Sequence, residues 1–225
     1  MARTDTNVDI DIISKNNYPI LLIDNFYNKK ELKEIWIDLD KFNLDNYKDV
    51  WQSNLNDINR ATDKKNNPLA KNSRIYLDKL YPDNLRNTSF ILKNYSKIMS
   101  KEILDIYKEI QPCNRNIYDV NVDYTMISYY KNNEEYKYHS DRATMTALWW
   151  TYKEPKGFTG GDLSFKDNDI KINCKNNRLI MFPSFYLHAS SKVKLKNKKD
   201  NLSSKYTIYH FFCLNQNTIH QTLLN

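Results

Sequence analysis

The apolar residues of the chain change from helical spacing to a period of two after Pro112, and this change constrains the fold more than any other feature. A period of two indicates β-strands, because successive side chains leave a strand on opposite sides. About eight short strands at such spacing predict a jelly roll or barrel. The predicted strands cover residues 120–130, 144–152, 160–165, 170–174, 178–182, 187–192 and 205–212.

The first half of the chain predicts a supporting layer of helices and short strands. The run 18–24 is apolar and predicts a buried strand. Asn28 is a suitable N-cap, and apolar residues at helical spacing predict an amphipathic helix over 29–41. A short strand is predicted at 74–78, and one long helix or two joined helices at 82–110.

Length and pattern together predict one domain of α+β class, mainly β, with a double-stranded β-helix (jelly roll) core. Residues 1–115 would form helical and strand support, residues 116–214 the jelly-roll core, and residues 215–225 a polar tail. The polar stretch 52–73 is interpreted as a loop. A loop of this length is typically either functional, here as a lid, or disordered.

Composition bounds the environment and the partners. The three cysteines are far apart and lack a CxxC spacing, which indicates reduced thiols. Residues 1–13 contain no apolar run of signal-peptide length and no stretch approaches ~20 apolar residues, so we expect a cytoplasmic protein with no membrane partner. The net charge of +7 allows a nucleic-acid partner, but the lysines are spread over the whole chain, which favours a composition bias.

Two histidines and one aspartate have the spacing of a metal site. His139 and Asp141 are two residues apart, so in an extended segment both side chains leave the same face. His188 would then come from a distant strand that crosses the same pocket. Two imidazoles and one carboxylate suit Fe(II) and leave the opposite face of the ion open for substrate and oxygen. These three residues are therefore the candidate metal ligands and catalytic residues.

A His-x-Asp pair is weak evidence by itself, because it occurs by chance in many proteins. The alternative is that His139 is a hydrogen-bonded surface residue and Asp141 a turn residue. The ordered context favours the metal site: an aromatic strand precedes the pair, a Gly-Gly-x-Leu-x-Phe segment follows it, and a second histidine comes after an apolar strand.

Residues 118–214 resemble an Fe(II)- and 2-oxoglutarate-dependent dioxygenase of the prolyl 4-hydroxylase-like group. The matching residues are Tyr130, His139-x-Asp141, Gly160-Gly161 through Phe165, Phe182-Pro-Ser184, His188 and Lys205-x-Thr207. The chain departs from the family at Asn133, where glycine is usual, although asparagine can adopt the same left-handed backbone. It also carries a lysine-rich insertion over 194–203.

The resemblance implies roles for three further residues in binding the cosubstrate. Lys205 would pair with the distal carboxylate of 2-oxoglutarate as a point charge. Thr207 and Tyr130 would add hydrogen bonds to the same molecule. Lys198 would fit the position of Lys205 by counting alone, but Lys205 begins an apolar strand and shares a face with Thr207, so Lys205 is favoured.

The resemblance implies a hydroxylase that couples oxidative decarboxylation of 2-oxoglutarate to succinate and CO2. A lysine at the cosubstrate position resembles the procollagen-type prolyl hydroxylases, so prolyl 4-hydroxylation of a peptide or protein substrate is favoured. The implied cofactors are Fe(II), 2-oxoglutarate and O2, with ascorbate as an optional reductant. Two alternatives stay open: hydroxylation of a free amino acid or other small molecule, and a jelly-roll module that binds a ligand without chemistry.

Three side chains are candidates for substrate contacts. Arg142 follows the predicted metal ligand and could orient substrate or lie at the solvated rim. Trp149 and Trp150 point to opposite faces of a strand, so one could line the pocket while the other packs in the core, and Trp150 is the candidate. Tyr124 could contribute to an aromatic groove for a peptide.

Other polar residues are interpreted as structural or solvated. His210 lies on the opposite face of its strand from Lys205, which predicts a structural role. His220 lies in the polar tail. The lysines of 192–199 could bind an acidic partner, but a solvated loop is favoured.

Overall fold

Antiparallel strands make up most of the regular structure. The protein is seen in a computed structural model that describes residues 8–43, 49–53, 61–198, 200 and 203–215. The strands, in chain order, are β1 (Asp9–Lys15), β2 (Tyr18–Asp24), β3 (Gln52–Ser53), β4 (Ser73–Tyr76), β5 (Val122–Tyr129), β6 (Tyr136–His139), β7 (Met145–Thr151), β8 (Phe158–Thr159), β9 (Leu163–Phe165), β10 (Ile170–Ile172), β11 (Arg178–Pro183), β12 (His188–Ser190), β13 (Lys194–Leu195) and β14 (Tyr206–Cys213). The α-helices are α1 (Lys29–Lys41), α2 (Leu77–Leu80), α3 (Phe90–Asn94) and α4 (Lys101–Ile110).

The strands form a large and a small sheet. The large sheet has eight strands in the order β1-β2-β11-β7-β14-β5-β4-β3, and the small sheet has four in the order β10-β9-β12-β6. Strands β8 and β13 pair separately. Strands distant along the chain are neighbours in both sheets, as expected of a jelly roll. The predicted class, mainly β with helices before the core, is confirmed.

The large sheet separates two hydrophobic clusters, because its side chains alternate between faces. Trp149 and Trp150 are adjacent on β7 and show the alternation. Trp149 packs in one cluster with residues of the helices, such as Leu39, and Trp150 packs in the other with Phe165 of the small sheet. The opposite orientations predicted for the two tryptophans are confirmed, and the face of Trp150 is the face toward the small sheet.

Helix α1 begins and ends as the sequence predicts. Asn28 Oδ1 accepts a hydrogen bond from the Glu31 N–H at 3.0 Å, and Glu31 Oε2 accepts one from the Asn28 N–H at 2.7 Å. This reciprocal capping box satisfies two backbone donors that the first turn leaves unpaired. Ile35 and Leu39 are buried on the side of α1 that faces the large sheet.

The prediction of one long helix or two joined helices over 82–110 is wrong. The segment consists of a 3-10 helix over Asp83–Thr88, then α3, a second 3-10 helix over Tyr95–Met99, and α4. Ser89 separates the first 3-10 helix from α3, and Ser100 separates the second from α4; both have extended backbones, with ψ of 124° and 147°. The second 3-10 helix follows α3 directly. The apolar spacing remains near helical across these breaks, which is why the pattern alone predicts a longer helix.

A buried carboxylate stabilises the break at Ser89. Asp38 of α1 accepts hydrogen bonds from Ser89 Oγ at 2.8 Å and from the Ile91 N–H at 3.0 Å. Ser89 Oγ in turn accepts from the Leu92 N–H. Serine and aspartate favour helix starts because their oxygens bond free backbone N–H groups.

Two further predictions differ from the structure in their boundaries. The strand predicted at 74–78 ends at Tyr76, and Leu77 begins α2. The loop predicted at 52–73 contains β3 and two isolated bridges, Thr62 with Pro68 and Ala70 with Tyr136. Its residues 54–60 lie outside the described part of the chain, so the prediction of a lid is untested.

Strand β1 is absent from the sequence-based prediction. It pairs with β2 over its full length at the edge of the large sheet. Most of its residues are exposed, so the strand lacks the apolar run that marks a buried strand.

His210 lies on the helix-facing side of β14, in agreement with its predicted structural role. The ring is 1% exposed, its Nδ1 lies 3.0 Å from Thr125 Oγ1, and it stacks on Tyr95. Burial lowers the pKa of His210 to about 3, so the ring is neutral at ordinary pH.

Within the described ranges, no helix is long and apolar enough to cross a membrane. Cys113, Cys174 and Cys213 are free thiols. His220 and the rest of 216–225 lie outside the described residues.

Candidate metal centre and anion pocket

His139, Asp141 and His188 lie together at one end of the small sheet. Their ligand atoms are all within 4.8 Å of one another. His139 Nε2 is 3.5 Å from Asp141 Oδ1, and His188 Nε2 is 3.5 Å from Asp141 Oδ2. His139 of β6 and His188 of β12 are direct cross-strand partners. The structure therefore brings together the three residues predicted as metal ligands.

A β-bulge in β6 orients the first histidine. Between the pair His139–His188 and the pair Tyr136–Ser190, β6 advances by three residues while β12 advances by two. Residues three apart in a regular strand face opposite sides, but the extra residue of a bulge lets Tyr136 and His139 face the same side. Their rings stack with centroids 3.4 Å apart and an interplanar angle of 6°.

Backbone carbonyls fix the tautomer of both histidines. His139 Nδ1 lies 2.8 Å from the Lys137 carbonyl oxygen, and His188 Nδ1 lies 2.8 Å from the Tyr186 carbonyl oxygen. A carbonyl can only accept a hydrogen bond, so each Nδ1 carries the proton. Each neutral ring therefore presents the lone pair of Nε2 to the centre of the cluster, which is the arrangement found in metal-binding histidines.

Asp141 is oriented by the loop between the two sheets. Its backbone N–H donates to the Ser184 carbonyl at 2.9 Å, and its Oδ2 accepts from Thr146 Oγ1 at 2.7 Å. Burial acts to raise the pKa of Asp141, but the adjacent His188 and His139 outweigh it and hold the pKa below its usual value. The carboxylate is therefore ionised and available as a ligand.

The residues fit a divalent metal. The Nε2 atoms of His139 and His188 are buried and make no hydrogen bond within the described residues. Buried polar atoms nearly always have a partner, so two aligned lone pairs beside a carboxylate are suited to bind a cation. Burial lowers the pKa of His188 to about 4, which keeps that ligand neutral over the working pH range. The donor set is that of a two-histidine, one-carboxylate Fe(II) site.

Lys205 is a buried cation on the same side of the large sheet. It is 1% exposed, and its Nζ donates to the Gly161 carbonyl and to Ser190 Oγ, each at 2.7 Å. The ammonium also lies 4.5 Å from the centre of the Tyr130 ring and 5.6 Å from that of Trp150. An ammonium has three donors, and these two hydrogen bonds leave one for a ligand.

Burial lowers the pKa of Lys205 from 10.5 to about 8, while Cys174 and Asp162 partly oppose the shift. A charged lysine in such a place is costly unless an anion accompanies it. The position therefore suits a carboxylate ligand. Lys198, the alternative by counting, is exposed in a turn, so it does not reach this pocket.

Gly161 makes room for Lys205. Its φ is +75°, a left-handed conformation that residues with a Cβ rarely adopt. A Cβ on Gly161 would lie 2.9 Å from Lys205 Cδ. Gly161 therefore provides both the left-handed turn and the space for the methylene stem of Lys205.

A row of polar side chains crosses the large sheet beside Lys205. Thr207 of β14 pairs with Ser128 of β5, which pairs with Arg74 of β4, so all three face the same side. Thr207 Oγ1 and Ser128 Oγ are buried and have no hydrogen-bond partner in the described part of the chain. These hydroxyls are therefore available to a ligand beside Lys205, and the role of Thr207 in binding the cosubstrate stays a prediction.

Two tyrosines close the pocket. The hydroxyls of Tyr130 and Tyr209 are 3.3 Å apart, and both side chains are buried. Burial, followed by the proximity of Tyr130, raises the pKa of Tyr209, so it stays protonated and able to donate. Tyr130 was expected here from the sequence. Tyr209 shares a face with Lys205 and Thr207 through the period of two, and that spacing could have identified it.

The sequence reasoning also missed a second buried cation. Arg74 is 3% exposed, its Nε donates to Asn72 Oδ1 at 3.1 Å, and its guanidinium lies 5.3 Å from the centre of the Tyr136 ring. Because Tyr136 stacks on His139, this places an arginine close to the metal centre. Arg74 stands directly before the apolar residues Ile75, Tyr76 and Leu77, and a charged residue beside this apolar run was the available signal.

The candidate substrate residues differ in accessibility. Arg142 is exposed next to Asp141. Tyr124 is 52% exposed, and its cross-strand partner Phe211 stacks on Tyr209, so it lies on the face of the site. Trp150 is 1% exposed and lies against Lys205, so it packs beside the buried ammonium and not at an open surface.

The likeness of this chain to known proteins is a likeness of fold. No family model matches the chain. No curated protein matches its sequence. Solved structures do match. A prolyl-4-hydroxylase of Pseudomonas putida is 10% identical, with a TM-score of 0.55 over 88% of this chain and 94% of that one. A prolyl 4-hydroxylase structure from Phytophthora capsici is 12% identical, with a TM-score of 0.53 over 88% of this chain and 59% of that one.

The structural matches confirm at the level of the fold the resemblance that the sequence motifs predicted. Identities of 10% and 12% are too low to transfer an activity, because one fold supports many different reactions. The protein has the fold of the prolyl 4-hydroxylases, with a His-Asp-His cluster and a buried lysine on the same side of its large sheet.

Proposed function

We propose that the protein is an Fe(II)- and 2-oxoglutarate-dependent hydroxylase. The observation that carries the proposal is the convergence of three ligand atoms within 4.8 Å, with both histidine tautomers fixed so that Nε2 faces the cluster. A hydrogen-bonded surface role for His139 would not leave its buried Nε2 atom, beside that of His188, without a hydrogen bond.

His139, Asp141 and His188 would hold the iron, which supplies the activation of dioxygen when bound. Lys205 would bind the distal carboxylate of 2-oxoglutarate through its remaining N–H, and Thr207 and Tyr130 would add hydrogen bonds. Trp150 and Tyr130 exclude water around the ammonium, which strengthens the charge pair.

The proposed reaction balances without a further reactant. One substrate C–H bond, one O2 and one 2-oxoglutarate give one C–OH bond, one succinate and one CO2. One oxygen atom enters the substrate and the other enters succinate. Ascorbate would act only as a reductant that keeps the iron ferrous.

For the substrate, we propose a prolyl residue of a peptide or protein, hydroxylated at the 4-position. The support is the fold shared with the prolyl 4-hydroxylases, together with the exposed side chains of Arg142 and Tyr124 on or beside the site. A peptide needs an open groove rather than a closed cavity, and these two side chains would contact it at the mouth.

Two alternatives are separated by experiment. A hydroxylase of a free amino acid or small molecule would turn over with that metabolite and not with a peptide. A binding module without chemistry would bind its ligand with or without Asp141, since a binder has no need of the third metal ligand.

The test is succinate formation from 2-oxoglutarate with Fe(II) and O2, together with mass spectrometry of proline-containing peptides for the gain of one oxygen atom. Asp141→Ala should abolish both products, while the matched surface variant Asp167→Ala should retain them, because Asp167 is exposed and distant in sequence from the ligands. A folded, iron-loaded protein that binds no 2-oxoglutarate would refute the proposal.

A further inference from the structure

One edge of the large sheet is an unusually open strand. β1 is seven residues long and pairs with β2 in unbroken register, from Asp9 opposite Asp24 to Lys15 opposite Tyr18. Within the described residues no strand pairs with its outer side. Val8, Ile10 and Ile12 are 40%, 47% and 49% exposed.

Edge strands of soluble proteins are normally protected by proline, a bulge, a short length or inward-pointing charge, because their free N–H and C=O groups pair with other chains. β1 has none of the first three. The opposite edge of the same sheet, β3, is only two residues long. The apolar residues of β1 also form a row, since Ile10 and Ile12 lie on one face. Its charged residues Asp9, Asp11 and Lys15 are exposed, so they can pair with charges of another chain. A long edge strand with a row of isoleucines suits a partner strand rather than water.

The charges of β1 select the partner and the register. Two copies of β1 can pair antiparallel about a two-fold axis centred on one residue. Centring on Asp11 places Asp11 opposite itself, and centring on Ile10 places Asp9 opposite Asp11. Like charges directly opposite each other destabilise a sheet. Centring on Ile13 places Asp11 opposite Lys15, but leaves Asp9 and Ile10 outside the paired strand. Centring on Ile12 pairs all seven residues of β1, with Asp9 opposite Lys15 twice and Ile12 opposite Ile12.

We propose that the protein forms a homodimer through β1, with β1 pairing antiparallel to β1 of a second copy about an axis at Ile12. The two large sheets then become one continuous sheet. Lys15, which within its own chain has an exposed ion pair with Asp169 at 3.3 Å, would pair instead with Asp9 of the other copy. Closed two-fold symmetry of this kind is the commonest route to a soluble oligomer. The proposal is independent of the catalytic activity.

Charge exchange tests the partner and the register. Analytical ultracentrifugation of the full chain at low salt should show a monomer–dimer equilibrium. Asp9→Lys and Lys15→Asp should each weaken dimerisation by at least about tenfold, because each creates two like-charge pairs. The combined variant should restore it. Asp167→Lys, an exposed aspartate outside β1, is the matched control and should leave dimerisation unchanged.

Cysteine substitution tests the axis by a second measurement. Ile12→Cys should crosslink to its own copy on oxidation, because the two positions are directly opposed. Ile10→Cys should not, because each copy would lie about 13 Å from the other along the strands. The unsubstituted chain, which has its own free thiols, gives the background.

A chain that stays monomeric at high concentration overturns the proposal. A dimer that is insensitive to both charge reversals, or that crosslinks through position 10 and not 12, overturns the proposed interface. Circular dichroism of every variant separates a lost dimer from a lost fold.

Discussion

Replacing Lys205 by methionine should stabilise the fold and abolish cosubstrate binding at the same time. Methionine keeps most of the buried stem and removes the charge. The ammonium is fully buried, and burial lowers its pKa from 10.5 to about 8. That difference corresponds to a cost of about 3 kcal/mol for keeping the lysine charged in the folded protein at neutral pH.

Lost hydrogen bonds offset part of the stabilisation that comes from removing the buried charge. Lys205 Nζ donates to the Gly161 carbonyl and to Ser190 Oγ, and both acceptors would lose a partner. About 1 kcal/mol for each leaves a net stabilisation on the order of 1 kcal/mol at pH 7. The affinity for 2-oxoglutarate should fall by at least about a hundredfold, because a buried charge pair loses one partner.

The stability difference should depend on pH with a definite sign. Below pH 8 the lysine is charged in both the folded and the unfolded chain, so the full cost is present. Between about pH 8 and 10.5 the folded protein binds fewer protons than the unfolded chain, so the stability of the wild type rises with pH. The advantage of Lys205→Met should therefore shrink over this interval.

The assay is urea unfolding of metal-free protein at pH 7 and at pH 9.5, with Lys33→Met, an exposed lysine of α1, as the control. The control should match the wild type at both values. A Lys205→Met protein that is less stable than the wild type at pH 7, with a difference that does not change with pH, would show that the lysine is not desolvated as described.

Three further outcomes follow from the same pocket. Gly161→Ala should weaken 2-oxoglutarate binding by about tenfold, because its Cβ would lie 2.9 Å from Lys205 Cδ. Gly160→Ala should destabilise the fold without weakening 2-oxoglutarate binding, and calorimetric titration with thermal unfolding distinguishes the two variants. Tyr209→Phe removes a hydroxyl that lies 3.3 Å from that of Tyr130, so it should weaken 2-oxoglutarate binding about fivefold. In a Tyr130→Phe background the same substitution should have little further effect, and a double-mutant cycle measures this. The affinity for 2-oxoglutarate should fall by up to tenfold per pH unit above about pH 8, because the charged form of Lys205 binds the carboxylate. Lys205→Arg should remove this pH dependence, and titrations from pH 7 to 9.5 measure whether the affinity falls.

Local sequence patterns predicted much of the fold, because interactions between residues close in sequence determine these elements. Strand β2 and helix α1, with its N-cap Asn28, have the bounds that the sequence predicted. The alternation in β5 and β14 also predicted which side chains share a face. In contrast, the sequence pattern did not predict the helix breaks at Ser89 and Ser100, where the backbone is extended. The break at Ser89 is stabilised by a hydrogen bond to Asp38, which is distant in sequence.

In the site, too, the sequence predicted the features that depend on nearby residues and missed those that depend on pairing between distant strands. His139, Asp141 and His188 have characteristic residue types and spacing, so the sequence pointed to them. The position of Tyr136 on the same side as His139 depends on a bulge set by pairing between β6 and β12, and spacing in one strand does not reveal it. Arg74 reaches the pocket only because β4 pairs with β5.

The most direct test of the account is an anaerobic calorimetric titration of 2-oxoglutarate into the protein with and without Fe(II). The account predicts one bound 2-oxoglutarate per chain that depends on iron, is lost in Lys205→Met while iron binding persists, and is lost together with iron binding in Asp141→Ala. A folded wild-type protein that binds iron through these residues and takes up no 2-oxoglutarate would contradict it.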